Sequence, residues 1–155
     1  MPVPGQSASI RPAVMDDAAN VSAIVDAAYR VYIPRIGKKP GPMLDDYPAR
    51  IAARQVWILD DGAEILGVLV LENNADGFLL DNIAVAPEHH GQGHGRALLV
   101  FAEQRAVHLG WREIRLYTHA RMLENIALYR RIGYVETARR TENGFERVHM
   151  SKRLP

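Results

Sequence analysis

At 155 residues the chain has room for one hydrophobic core and not for two. With 48% apolar and 24% charged residues and a formal net charge of +1, its composition is that of an ordinary globular protein. It speaks against a nucleic-acid binder, which needs a strong basic excess. Cysteine is absent, which removes disulfides, cysteine nucleophiles and thiolate metal sites together. No run approaches the ~18 apolar residues of a membrane-spanning helix. The opening residues have neither a basic n-region nor an apolar h-region, so the expected location is the cytoplasm, without membrane attachment.

Residues 1–8, rich in Pro, Gly and Ser, are expected to be disordered, leaving 9–155 as a single domain. Ser9 to Val14 predicts an edge strand, because Pro12 cannot donate to a central ladder. Asp16 or Asp17 can cap a helix whose apolar residues Val21, Ile24, Val25 and Ala28 recur at i, i+3, i+4 and i+7, ending near Tyr32 to Pro34. Turn chemistry makes 37–43 a loop, and a short helix follows over 45–54. Val56–Leu59 and Ile65–Leu71 read as a hairpin across Asp60-Asp61-Gly62, and a turn at 73–77 leads into a strand over 78–86. A long helix over 92–109 places Leu98, Phe101, Ala102, Ala106 and Leu109 on one stripe and stops at Gly110. Then come a strand over 114–118, a helix over 123–132 closed by Gly133, and a hairpin pairing 134–141 with 145–151 across Glu142-Asn143-Gly144. No internal repeat is visible. The order predicts an α/β (α+β) fold: a mixed sheet with helices on both faces.

The most informative stretch runs from Leu79 to Leu99, where an apolar strand enters a glycine loop that opens onto the long helix. Gly91, Gly93 and Gly95 alternate, so backbone N–H groups can turn toward one point while the helix adds its free first amides and positive dipole end. A phosphate or pyrophosphate fits such a cradle. No Gly-Lys-Ser/Thr follows as in a P-loop, and for a dinucleotide fingerprint the third glycine comes one residue early with about eighty residues before the loop, so both nucleotide readings weaken. His89, His90 and His94 invite a metal, yet two adjacent histidines do not readily share one ion and no known carboxylate–histidine spacing is present, so no metal is expected.

The segment Val85-Ala86-Pro87-Glu88 followed by His90-Gly91-Gln92-Gly93-His94-Gly95 resembles the acetyl-CoA loop of the GNAT superfamily of N-acetyltransferases. Met122 to Tyr134 resembles the other GNAT signature, a short helix carrying a tyrosine, here Tyr129, and closed by Gly133-Tyr134. The two motifs occur in the family's order, and the resemblance spans Ile10 to Leu154. It implies a mostly antiparallel, twisted sheet of about seven strands, acetyl-CoA as co-substrate, and direct attack of a primary amine on the thioester. It assigns the pantetheine and thioester to the backbone at Ile83, Ala84 and Val85, and the pyrophosphate to the amides from Gly91 through Gln92, Gly93, His94 and Gly95 to Arg96. His90 or Arg96 adds charge; His90 stands where the family usually has Arg or Gln.

Within that resemblance Tyr129 is the candidate general acid, because a phenol of pKa near ~10 can protonate a departing thiolate; its alternative is a core aromatic beside Leu128 and Ile132. Many relatives carry an asparagine seven residues before this tyrosine, where this chain has Met122. Asn125, one turn from Tyr129, either contacts the cofactor or begins the helix. Asp81 is the candidate base: Asp81 and Asn82 interrupt an apolar strand and alternate in face, and the alternative is a carboxylate satisfied locally. His119 is a second candidate, and a water chain would need no base. The 32–47 segment, with Arg35, Lys38 and Lys39, either forms the acceptor pocket or is a solvated loop. The acceptor is a small-molecule or peptide amine, and a homodimer through the C-terminal strands is compatible with the resemblance. The rival reading is a non-catalytic acyl-CoA-binding or sensing module, and behind it a nucleotide-binding domain.

Overall fold

A computed structural model describes residues 8–155; the N-terminal stretch expected to be disordered lies, except for Ala8, outside the described residues. The elements in order are β1 (Ser9–Pro12), α1 (Ala18–Tyr29), α2 (Ile33–Ile36), α3 (Tyr47–Ala52), β2 (Val56–Asp60), β3 (Ile65–Asn74), β4 (Gly77–Val85), α4 (His94–His108), β5 (Glu113–His119), α5 (Leu123–Arg131), β6 (Val135–Glu142) and β7 (Phe145–Arg153). The strands form one seven-stranded sheet in the order β1-β2-β3-β4-β5-β7-β6. The β1/β2, β2/β3, β5/β7 and β6/β7 ladders are antiparallel and β4/β5 is parallel, which is the mixed, mostly antiparallel sheet expected. The chain divides into two compact units: the chain up to Leu71 with Asn82–Ala102, and Glu72–Asp81 with Glu103–Pro155.

In the first unit β1 is the sheet edge, as Pro12 requires. The buried stripe of α1 is Val21, Val25 and Tyr29. Asp17 precedes this helix but does not cap it with its side chain: its carboxylate accepts from Val14 N at 2.8 Å and from Arg11 Nη1 at 3.0 Å, while Arg11 also reaches Asp60. The α-ladder breaks before Pro34, which has no N–H to give to Arg30, so a 3-10 turn over Arg30–Tyr32 carries the chain into α2. The first turns of α4 lie against β3 at Gly67, where an added Cβ would stand 2.8 Å from Leu98 Cδ1 and 3.1 Å from Ala84 O. A larger residue there would push the helix off the strand.

In the second unit Ile114, Leu116, Val148 and Met150 are buried, as are Ile126 and Tyr129 of α5 and Tyr134 beyond it. The β6/β7 hairpin closes on two residues, since Glu142 pairs with Phe145. Asn143 (φ 51) and Gly144 (φ 79) both take positive φ, the geometry that matches the twist of the flanking strands. The α4 stripe differs from expectation at its end: Leu109 is 39% exposed, whereas Leu99 is buried. The helix stops at His108, so Leu109 falls beyond its buried face.

Candidate active site

Along β4 the pleat alternates as a half-covered strand should: Leu80, Asn82 and Ala84 are buried, while Leu79, Asp81, Ile83 and Val85 are half-exposed. The parallel register with β5 joins Leu79 to Arg115 and Leu80 to Leu116, and Ile83, Ala84 and Val85 lie beyond it. The Ile83 carbonyl accepts a hydrogen bond from Tyr29 Oη at 2.9 Å. Asn82 is 2% exposed; its Nδ2 donates to Tyr47 Oη at 2.8 Å, which itself donates to Pro42 O at 2.6 Å. Asn82 Oδ1 is buried without a hydrogen bond among the described residues, an acceptor beside the strand end.

Past β4 a 3-10 turn over Pro87–His89 leads into the glycine loop. Gly91 (φ +77) and Gly93 (φ +84) are left-handed, and a Cβ on either would meet nothing within 4 Å. The first α4 bond found runs from Ala97 N to Gly93 O at 3.1 Å. The amides of His94, Gly95 and Arg96 thus precede the ladder and are available to an anion. The histidines hold the loop instead of gathering around one point. His90 Nε2 donates to Val85 O at 3.0 Å, His94 Nε2 is 3.1 Å from Gln92 Oε1, and His89 Nε2 is 2.7 Å from Glu64 Oε1. Among the described residues no group of three or more His, Cys, Asp or Glu is placed to hold a metal ion.

In the second unit, Asp81 Oδ1 accepts a 2.7 Å hydrogen bond from Tyr117 Oη, so the carboxylate is held locally as well as half-exposed. The Arg147 guanidinium lies 4.3 Å over the Tyr117 ring. Glu142 Oε1 is 2.8 Å from His149 Nε2; this hydrogen bond, with nearby arginines, holds the Glu142 carboxyl below the usual carboxylate range. Tyr117, Glu142, Arg147 and His149 border a cleft of about 380 Å³ on the β5, β6 and β7 face.

Tyr129 sits on α5 at 5% exposure, its ring edge-on to Tyr134 at 5.8 Å between centroids. Among the described residues Tyr134 Oη has no hydrogen bond, and burial, with Glu103 and Tyr129 adding, pushes this phenol's pKa well above the ordinary value. Asn125 does not start the helix, which begins at Leu123; its Nδ2 is 3.7 Å from Met122 Sδ. His119 Nδ1 accepts from Arg121 N at 3.0 Å. In the 32–47 segment Tyr47 is buried, Arg35 stacks over Tyr32 at 5.5 Å, and the Asp46 side chain caps α3.

Tyr29, which bonds Ile83, Tyr117, which bonds Asp81, and Arg147, which stacks on Tyr117, are neighbours of the candidate residues that sequence reasoning missed. Tyr29 carried a signal, since it extends the Val21, Val25 spacing by one more turn; the other two depend on cross-strand pairing.

A family model described as an acetyltransferase (GNAT) domain matches residues 52–136, more than half of the chain. No curated protein matches in sequence. Among solved structures, the chain is similar to the PaiA N-acetyltransferase from Thermoplasma acidophilum in complex with coenzyme A, at 19% identity and TM-score 0.79, covering 95% of this chain and 99% of that one. It is similar to the ribosomal-protein-S18-alanine N-acetyltransferase from Escherichia coli, at 20% identity and TM-score 0.74, covering 95% and 94%. It is also similar to YncA from Salmonella typhimurium, a putative acetyltransferase with its cofactor acetyl-CoA, at 21% identity and TM-score 0.70, covering 96% and 95%. These likenesses establish the fold.

Proposed function

The chain belongs to the GNAT family of acetyltransferases, and we propose that it transfers acetyl from acetyl-CoA to a primary amine by direct attack in a ternary complex. The observation that carries this reading is the glycine loop: two left-handed glycines with open space above them, followed at once by the free amides of α4. That cradle suits the pyrophosphate of the co-substrate. The amides from Gly91 through Gln92, Gly93, His94 and Gly95 to Arg96 bind it, with the His90 and Arg96 side chains nearby. The backbone at Ile83, Ala84 and Val85, outside the β4/β5 register, takes the pantetheine and the thioester carbonyl, and Asn125 adds a polar contact.

The amine nitrogen bonds to the acetyl carbon as the carbon–sulfur bond breaks. Asp81 takes the proton that the amine loses and Tyr129 gives one to the leaving sulfur. Holding both reactants on one chain makes the attack effectively unimolecular. The enzyme acts as a single domain over 9–155 in the cytoplasm on a small-molecule or peptide amine, without a metal, and its edge strand β6 admits pairing with a second copy.

Calorimetric titration with acetyl-CoA, with CoA and ATP as comparisons, tests the binding, and release of free thiol with a panel of amines tests the transfer. Micromolar binding of acetyl-CoA without ATP binding, plus amine-dependent thiol release, is expected. No acetyl-CoA binding overturns the reading. Binding with no thiol release from any amine assigns the chain to acyl-CoA sensing.

A further inference from the structure

The cleft of about 380 Å³ lies entirely within the second unit, from the β3/β4 turn across β5 to the β6/β7 hairpin. Its size is that of a small-molecule site, about 300–1,000 Å³. Three guanidiniums, those of Arg115, Arg140 and Arg147, line it against two carboxylates, those of Asp76 and Glu142. The lining therefore has a surplus of one positive charge before His149, which also borders it, is counted.

The contacts within the cleft leave that surplus in place. Arg115 Nη2 donates to a backbone carbonyl, Asp76 O, and not to a carboxylate. Glu142 Oε1 is held by His149 Nε2 at 2.8 Å, while Arg147 Nη1 at 3.7 Å and Arg140 Nε at 3.8 Å stand too far from Glu142 for hydrogen bonds. One carboxylate is thus shared among three basic side chains.

Arg147 is also set in a defined plane. Its guanidinium lies 4.3 Å over the Tyr117 ring and 5.9 Å from the centre of the Phe145 ring, and its side chain is 18% exposed. A fork stacked in this way has little rotamer freedom left to lose when a partner arrives. Leu79 and Tyr117 supply apolar lining beside it.

We propose that this cleft binds a small monocarboxylate with an apolar body, its two oxygens on the Arg147 fork. A planar carboxylate matches the paired donors of a guanidinium. A single negative charge matches the surplus, whereas a dianion also meets the repulsion of Asp76 and Glu142. Every group the site uses belongs to the second unit, so it stands whether or not the chain transfers acetyl.

The test titrates hippurate and N-acetylleucine into isotope-labelled protein, followed by amide NMR shifts, beside hippuramide, N-acetylleucinamide and, as a dianion, phenyl phosphate. In the wild type each acid is expected to bind at least about tenfold more tightly than its amide, and more tightly than phenyl phosphate. Arg147→Gln should bring acid and amide within about twofold, and Arg147→Lys should keep part of the difference. Arg153→Gln, on the same strand but outside the cleft, should change nothing. Glu142→Gln removes the competing carboxylate and should tighten both acids by about threefold. The inference is overturned if neither acid binds, if acid and amide bind alike, if phenyl phosphate binds more tightly, if the preference survives Arg147→Gln or falls equally in Arg153→Gln, or if Glu142→Gln fails to tighten the acids. Should Arg147→Gln not fold, Arg140→Gln decides, since that side chain is 60% exposed: the acids should bind about threefold more weakly, and an unchanged affinity counts against the cleft.

Discussion

Replacing Gly93 by alanine tests the cradle through the backbone alone. Gly93 holds φ +84, and a Cβ there would meet no atom within 4 Å, so no clash accompanies the change. The cost is conformational: an L-residue with a side chain in the left-handed region is strained by about 1–2 kcal/mol. If acetyl-CoA binds the loop as it stands, the fraction of molecules holding that shape falls by about 5- to 30-fold, and the apparent Kd rises by the same factor. Gly37, at φ +86 and equally open, closes α2 in the same unit and supplies a matched control. Gly37→Ala carries the same strain without touching the cradle, so it should lower Tm by a few degrees, at about 2–4 °C per kcal/mol, and leave binding intact. Calorimetric titration with acetyl-CoA beside thermal melts reads both quantities. A Kd for Gly93→Ala within about twofold of wild type, or equal weakening by Gly37→Ala, would refute the argument that the backbone at Gly93 forms the anion site.

Three further outcomes follow from buried groups. Tyr129→Phe should lower kcat on the order of 10²-fold while leaving the acetyl-CoA Kd unchanged, and wild-type turnover at saturating substrate rules out the proton-donor role. Tyr134→Phe keeps the ring packed on Tyr129 at 5.8 Å and removes a buried hydroxyl that has no partner among the described residues; the variant should be about 1 kcal/mol more stable in urea unfolding, and a lower midpoint contradicts this. Asp17 is held below the usual carboxylate range by its hydrogen bond to Arg11, against the opposing pull of burial. A lowered carboxyl stabilises the fold above its unfolded pKa, near ~3.9, and that contribution is lost as pH falls through the lower folded value. Asp17→Asn should therefore cost about 1 kcal/mol at pH 7, with the gap to wild type closing toward pH 2; a gap independent of pH would show that the ion pair is not its source.

Much of the fold was legible because its local signals agree. Pro12 marks an edge strand, Asn143-Gly144 marks a two-residue turn, and the apolar period of α4 separates it from the strands around it. The boundaries that shifted did so for reasons a periodicity scan does not weigh. The left-handed Gly93 delays the start of α4 to His94, and Pro34 breaks the α1 ladder without ending the helical path. Asp17 has the right residue type and position for a cap, but a nearer cation outcompetes the helix for its oxygens.

The site divides along the same line. The glycine loop is a property of consecutive residues, so spacing alone could reveal it. The grouping of Tyr117, Arg147 and His149 depends on which residues of different strands stand opposite one another, and nothing local sets that register. Tyr117 faces His149 across the β5/β7 ladder and Arg147 lies two residues before His149, but in sequence Tyr117 and Arg147 are two unremarkable residues in separate strands. Asp81 could be singled out because a charge in an apolar strand is conspicuous. Its hydroxyl partner on β5, Tyr117, ties the carboxylate to the arginine stacked on that ring. Substitution of Tyr117 by phenylalanine separates the two. It keeps the ring under Arg147 and removes the hydroxyl that donates to Asp81, so it should alter the pH dependence of turnover while leaving acetyl-CoA affinity unchanged. An unchanged pH profile would refute Asp81 as the base.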